Sequence, residues 1–357
     1  MMAAEDLAGV LLQTQPNFAW LTAGGSNMID ISSESGPGAL LVRRDGKRFV
    51  LANRIEMPRL LTEEVSAAEF EPVEFAWEEE KSAPAFVAQR ALDLLDHGPL
   101  GCDLSMQSTA RSIELAIAHC RYQLTTSEVE RFRSLGHDAG EVVGSLARTL
   151  APGESEKEIA RRVSASLAAR DMTGIVTLVA ADQRLREFRH PVATDKRWGQ
   201  VAMIVVCARR GGLIASLTRI VSAGAIPEEL QRRTAAAARV NARIWTATRP
   251  GARGSELYEV AARAYAEQGF PGEERLHHQG GACGYRTRDW VAHPACAEEI
   301  SINQAFAWNP SITGTKVEET CILTEDGLEN VTASPDWPSI SVSADGSNYE
   351  MPGVLSL

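Results

Sequence analysis

Two stretches of this chain follow one plan, and that repetition constrains the fold more than any single motif does. A helical pattern runs from about Thr125 to Leu150, stops at Ala151-Pro152-Gly153, and restarts from about Ser155 to Arg170 before strand-like sequence. Further along, a helix from about Pro227 to Thr248 stops at Arg249-Pro250-Gly251, and another then leads into strands. The Pro-Gly pair alone says little, because glycine closes many helices and proline cannot continue one. The repeated order of helix, turn, helix and strands carries the inference. It predicts a structural duplication, with a ligand cleft where the two halves meet.

The duplication leaves the first third of the chain unexplained, and 357 residues exceed what one hydrophobic core organises. That first third alternates short apolar runs with turn residues. Phe18-Ala19-Trp20-Leu21 precedes a Gly-rich turn, and Ala39–Val42 and Phe49–Ala52 flank Asp45-Gly46, a hairpin signal. Pro84 to His97 reads as an amphipathic helix, and Gly101–Leu104 as a short strand. Strands alternating with helices imply an α/β domain over residues 1–124. Residues 125–357 form the second domain, its first helix opened by a capping box of Ser127 and Glu130. Within it, Gln200–Cys207 and Leu213–Val221 read as a hairpin, as do Ala305–Pro310 and Gly314–Thr324. The tail from Ser334, with Pro335, Pro338 and Pro352, reads as an extended arm.

A net charge of −11 argues against a nucleic-acid binder or a protein that sits on anionic membranes. No apolar run approaches the length of a bilayer span, and the N-terminal stretch lacks a basic leader followed by an apolar core. Cysteines 102, 120, 207, 283, 296 and 321 show no CxxC spacing. Reduced thiols and a cytoplasmic location are the expectation.

Candidate chemistry converges on Leu276–Tyr285, LHHQGGACGY. His277 and His278 offer nitrogen ligands or proton carriers near neutral pH, and Gly280-Gly281 allows close backbone approach. His190 upstream and Val317-Glu318-Glu319 downstream complete an acid–base set.

These features fall in a familiar order. Trp20-Leu21-Thr22-Ala23-Gly24 and the hairpin at 39–52 match the N-terminal domain of the creatinase, prolidase and aminopeptidase P family. The Ser127–Arg133 segment matches the start of its catalytic domain. His190–Lys196, Leu217–Val221, the His278 loop and Val317–Gly327 follow in family order. The chain therefore resembles that family over nearly its whole length. The resemblance implies an α/β (α+β) pita-bread catalytic domain with pseudo-two-fold halves, preceded by a smaller creatinase-like α/β domain. It also implies a homodimer.

Peptidases of the family hold two divalent metals on two aspartates, one histidine and two glutamates. By position, the aspartates fall here at Val205 and Ser216, the histidine at His278, and the glutamates at Asn309 and Glu318. Two good ligands cannot replace the water shells of two ions, so no metal and no cofactor is expected, the alternative being a single weakly held ion at His278 and Glu318. The family's metal-free member, creatinase, hydrolyses a small guanidino compound using a histidine at the position that His190 matches. By that resemblance His190, His278 and Glu318 are the expected catalytic groups. His277, Arg219, Tyr285, Asn309, Ser216 and Glu319 are the expected substrate contacts.

The leading expectation is thus a metal-independent enzyme. It would act on a small polar amino-acid-like, amide or guanidino substrate by hydrolysis or elimination at a carbon–nitrogen bond. The alternative is an inactive peptidase homologue that binds a peptide or small molecule. A dinuclear Xaa-Pro aminopeptidase or dipeptidase ranks last.

Overall fold

The structure is a computed structural model that describes residues 1–104 and 109–357. It divides into two compact units, Met1–Arg121 and Tyr122–Leu357. The first unit holds a six-stranded sheet of β1 (Gly9–Thr14), β2 (Ser35–Arg43), β3 (Arg48–Asn53), β4 (Glu71–Phe75), β5 (Leu100–Cys102) and β6 (Arg111–Ser112). Its spatial order is β4-β3-β2-β1-β5-β6. Apolar side chains leave this sheet on both faces, as its near-continuous hydrophobic strands require. One face packs Val10, Leu12, Leu40 and Val50 in a cluster with Phe18. The other packs Leu11, Leu41 and Leu51 against α2 (Phe86–Asp93). The Phe18–Leu21 run is helical, forming the end of α1 (Gln15–Leu21), because Pro16 starts a helix there. Helix α3 (Glu114–Arg121) closes the unit.

The second unit opens with α4 (Thr126–Ala147). Its capping box lies two residues before the expected pair. Thr125 Oγ1 accepts the Glu128 N–H at 3.3 Å, and Glu128 accepts the Thr125 N–H at 2.8 Å. Next come α5 (Glu156–Ala168) and the strands β7 (Thr173–Ala181), β8 (Val201–Arg210) and β9 (Leu213–Ser222). Then α6 (Glu228–Ala247) and α7 (Gly254–Glu267) lead to β10 (Gly280–Cys283) and β11 (Gln304–Trp308). The short strands β12 (Ser311–Ile312) and β13 (Thr315–Lys316) form a separate pair before β14 (Glu319–Thr324) and β15 (Gly327–Asn330).

The backbone shows the duplication directly. Gly153 N donates to Trp198 O at 2.8 Å, as Gly251 N donates to Ile300 O at 2.9 Å. Glu156 N and Lys157 N donate to Lys196 O and Thr194 O, while Gly254 N and Ser255 N donate to Glu298 O and Cys296 O. Ser155 bridges Arg197 just as Arg253 bridges Glu299. In each half the loop before the middle strand therefore clamps the start of the second helix in one pattern. Each half then lays down antiparallel strands, β7-β8-β9 and β10-β11-β14. The two sets meet where Thr218 N donates to Glu318 O at 3.2 Å and Ser216 N to Thr320 Oγ1 at 2.8 Å.

The tail is not an extended arm. It folds into the hairpin β16 (Ser339–Ala344) and β17 (Ser347–Pro352), and β18 (Val354–Ser356) adds to β9 as a parallel edge strand. The prolines sit at the strand ends: Pro352 closes β17, and Pro338, just before β16, accepts the Gly353 N–H at 2.7 Å. No helix among the described residues is long and apolar enough to cross a membrane.

Candidate functional site

Three imidazoles separated widely in sequence come together in the second unit. His190 lies in the loop between β7 and β8, and His277 and His278 lie just before β10. One ring nitrogen from each falls within 4.8 Å of the others. His190 Nε2 and His277 Nε2 are 3.1 Å apart, with the rings edge to face at 75°. His277 and His278 stack at 4.5 Å. Their approach depends on Gly280, which has a φ of 96° and whose added Cβ would lie 2.0 Å from Ala307 O. Only glycine lets the chain run from His278 into β10 this close to β11.

The His277 ring is buried and held from behind. Its Nδ1 lies 3.3 Å from Ser311 Oγ, which accepts from Arg189 Nη1 at 3.1 Å. Tyr265 fixes Ser311 in turn, its hydroxyl accepting from the Ser311 N–H at 2.9 Å. His278 Nδ1 accepts the Gly280 N–H at 3.3 Å. His190 is exposed, and its Nδ1 has no hydrogen-bond partner among the described residues.

Beside the imidazoles sits a carboxylate held by cations. Glu318, 1% exposed, accepts Thr218 Oγ1–H at 2.7 Å and pairs with Lys316 Nζ at 2.8 Å and Arg288 Nη2 at 3.2 Å. Burial alone would raise its pKa, but Lys316 and Arg288 outweigh that and hold it at about 2. The same surroundings keep the histidines neutral. Burial and then Lys316 push His277 down to about 2. Burial, then Arg288 and Lys316, push His278 down to about 4, although part of its residue reaches solvent. His190, open to solvent but partly covered, is lowered by that partial burial and then by Lys316. The hydrogen bonds of Glu318 go to Thr218, Lys316 and Arg288, and none reaches an imidazole among the described residues. It acts on the histidines through space.

Of the remaining candidates, Ser216 lies on the Thr218 side of β9, its Oγ 3.3 Å from Cys207 Sγ and 3.5 Å from Arg288 Nη1. Asn309 is buried, and its Oδ1 has no hydrogen-bond partner among the described residues. Three candidates are structural instead. Arg219 occupies the opposite face of β9 and is 1% exposed. It pairs with Glu319 at 2.9 Å and donates to Ser334 Oγ, Thr218 O and Thr332 O. Glu319 also accepts from Thr332 Oγ1 at 2.5 Å. Tyr285 donates to Glu128 at 2.7 Å and accepts from Arg131 at 2.8 Å, both on α4. These groups have spent their hydrogen bonds on holding elements together. Sequence reading missed Lys316, Arg288, Ser311 and Arg189. Lys316 was the most legible of them, since residues two apart in an extended segment share a face.

The donor set does not fit a pair of divalent ions. Val205 offers no donor, Ser216 and Asn309 are neutral, and Glu318 is already neutralised by two side-chain cations at hydrogen-bonding distance.

Residues 130–326, more than half of the chain, match the model of metallopeptidase family M24. A Xaa-Pro dipeptidase of Pyrococcus horikoshii is 22% identical over 233 residues, covering 62% of this chain and 66% of that relative. Among solved structures, the prolidase of Pyrococcus horikoshii superposes with a TM-score of 0.76 at 17% identity, covering 93% of this chain and 96% of its own. The X-Pro aminopeptidase of Thermotoga maritima gives 0.75 at 18%, covering 94% and 96%. The fold is the pita-bread fold.

Proposed function

The chain belongs to metallopeptidase family M24, and from that premise we propose that it is a metal-independent enzyme whose side chains do the work. Its substrate class is a small polar amino-acid-like, amide or guanidino compound, cleaved at a carbon–nitrogen bond. The observation that carries this reading is the chain Ser311–His277–His190, ending on the exposed His190 Nδ1, which has no partner among the described residues.

That chain supports an acid–base role for His190. When His277 Nδ1–H donates to Ser311 Oγ, His277 Nε2 accepts from His190 Nε2–H, and the lone pair of His190 is left on Nδ1. A neutral imidazole in this state is a general base toward water or a substrate N–H. After taking the proton it is an imidazolium, able to return the proton to the departing nitrogen. The reverse tautomers have Ser311 donating to His277 Nδ1 and His277 Nε2–H donating to His190 Nε2. They hold the same number of protons as the base form and present instead a neutral Nδ1–H, a general acid. Lys316 and Arg288 oppose only one carboxylate, leaving net positive charge to receive a substrate carboxylate or a developing oxyanion.

The test is a turnover screen with amide, guanidino and Xaa-Pro dipeptide compounds, run with and without a strong chelator. Activity should survive chelation. His190→Ala should lower kcat by about 10²–10⁴-fold with little change in ligand affinity, the usual range for positioned acid–base catalysis. Loss of activity on chelation, restored by a divalent metal, would return the protein to metal-dependent hydrolysis. Binding without turnover by any compound would make it a non-catalytic homologue.

A further inference from the structure

The geometry of the three imidazoles also describes a site for an ion. A transition metal bound to histidine sits about 2.0–2.1 Å from each nitrogen, which spaces tetrahedral ligands by about 3.4 Å. His190 Nε2 and His277 Nε2 are already 3.1 Å apart, and a nitrogen of His278 completes the set within 4.8 Å. We propose that His190, His277 and His278 form a mononuclear site for a divalent transition metal of the zinc, nickel or copper type, and that filling it silences His190.

Donor chemistry selects the class of ion. Three neutral nitrogens suit zinc, copper or nickel, and leave magnesium, calcium and manganese without the oxygens they prefer. Metal-bound histidine commonly donates its other N–H to a fixed oxygen, and Ser311 Oγ, anchored by Arg189, is so placed for His277. His278 gives up only a 3.3 Å contact from Gly280 N–H if it ligates through Nε2. The neighbouring Lys316, Arg288 and Glu318 sum to one positive charge, so the filled site should carry an anion at its remaining position. The other cluster of ligand-type groups among the described residues is His137, Asp138 and Glu141. Its carboxylates are engaged by Arg170 and Arg210, and it lacks a second nitrogen.

This inference concerns the same histidines as the proposed activity but is read by binding, so either can fail alone. Untagged full-length protein, stripped with chelator, is titrated with zinc chloride by calorimetry and with cobalt(II) chloride by visible absorption. The expected result is one ion per chain, with the intense visible bands of four-coordinate cobalt. His190→Ala and His277→Ala should each weaken binding by at least about 100-fold, more than the loss of a supporting group around a metal costs. His137→Ala should leave it unchanged. His190 lies in an exposed loop, so its replacement keeps the fold, and circular dichroism checks the His277 variant. No stoichiometric binding, or binding indifferent to both His190→Ala and His277→Ala, overturns the site. Loss of binding in His137→Ala overturns it too, by moving the ion elsewhere.

Discussion

Lys316 decides the electrostatics of the site. It is the first cation holding Glu318 at about 2, and it lowers all three histidines. Replacing Lys316 by methionine should therefore move the histidines upward. His190 and His277 lose the leading charge against them, and His278 should rise from about 4 while burial and Arg288 still hold it down. Imidazole chemical shifts followed through pH 7 to 4 would show this, and unchanged titration of both His190 and His278 would remove Lys316 from the account. Arg219 makes the contrasting case. Its guanidinium and the Glu319 carboxylate are paired at 2.9 Å with both side chains buried. Removing one partner leaves the other charge stranded, so Arg219→Ala should cost about 3–5 kcal/mol in urea unfolding. The sequence held the clue that separates these roles. Ser216 and Thr218 alternate with Arg219 along β9, so a residue useful at the Thr218 face cannot be matched by Arg219 one position on. What it did not hold was the identity of the buried partners, since Glu319, Thr332 and Ser334 reach Arg219 from across the fold.

At the scale of elements, the repeated helix–Pro-Gly–helix order was legible because it is local, and the matched hydrogen bonds at Gly153 and Gly251 are its physical content. The three-histidine cluster was legible only through family order, because no spacing rule joins His190 to His277. The tail was misread because Pro335 and Pro338 precede β16 and Pro352 is the last residue of β17, so none interrupts the pairing of the two strands. A further feature went unread. Gly136, Gly140 and Gly144 line one face of α4 and admit the segment Val331–Ser334 that follows β15. A Cβ on Gly140 would lie 2.6 Å from Thr332 O and 2.7 Å from Ala333 O, both backbone atoms that cannot step aside cheaply. The same segment supplies Thr332 to Glu319 and Ser334 to Arg219. Gly140→Ala should thus destabilise the protein by about 1–3 kcal/mol, as overpacking does. The urea midpoint measures it, and a neutral result would mean that this helix face is looser than its contacts imply.

For the whole molecule, keeping imidazoles neutral inside a folded unit has a cost that depends on pH. His277 and His278 have pKa values of about 2 and about 4 when folded, against about 6.5 in an unfolded chain. Below pH 6.5 the unfolded state therefore binds more protons than the folded state. Stability is complete above that value and falls as pH drops toward the folded pKa values. A single such group contributes a slope of at most about 1.4 kcal/mol per pH unit. Glu318 behaves in the same sense but lower down, losing its contribution as pH falls from about 4.5 toward about 2. Glu319 opposes both. Burial raises its pKa, so protonation favours the folded state in a window that opens above 4.5 as pH falls. A wild-type curve would mix these terms, and comparison with His277→Asn separates them, because the glutamates are common to both proteins. Between pH 6.5 and 5 the unfolding free energy of the wild type should fall more steeply than that of the variant, by up to about 1.4 kcal/mol per unit. Parallel curves would show that His277 is protonated equally in the folded and unfolded protein, and that it is not held neutral by its surroundings.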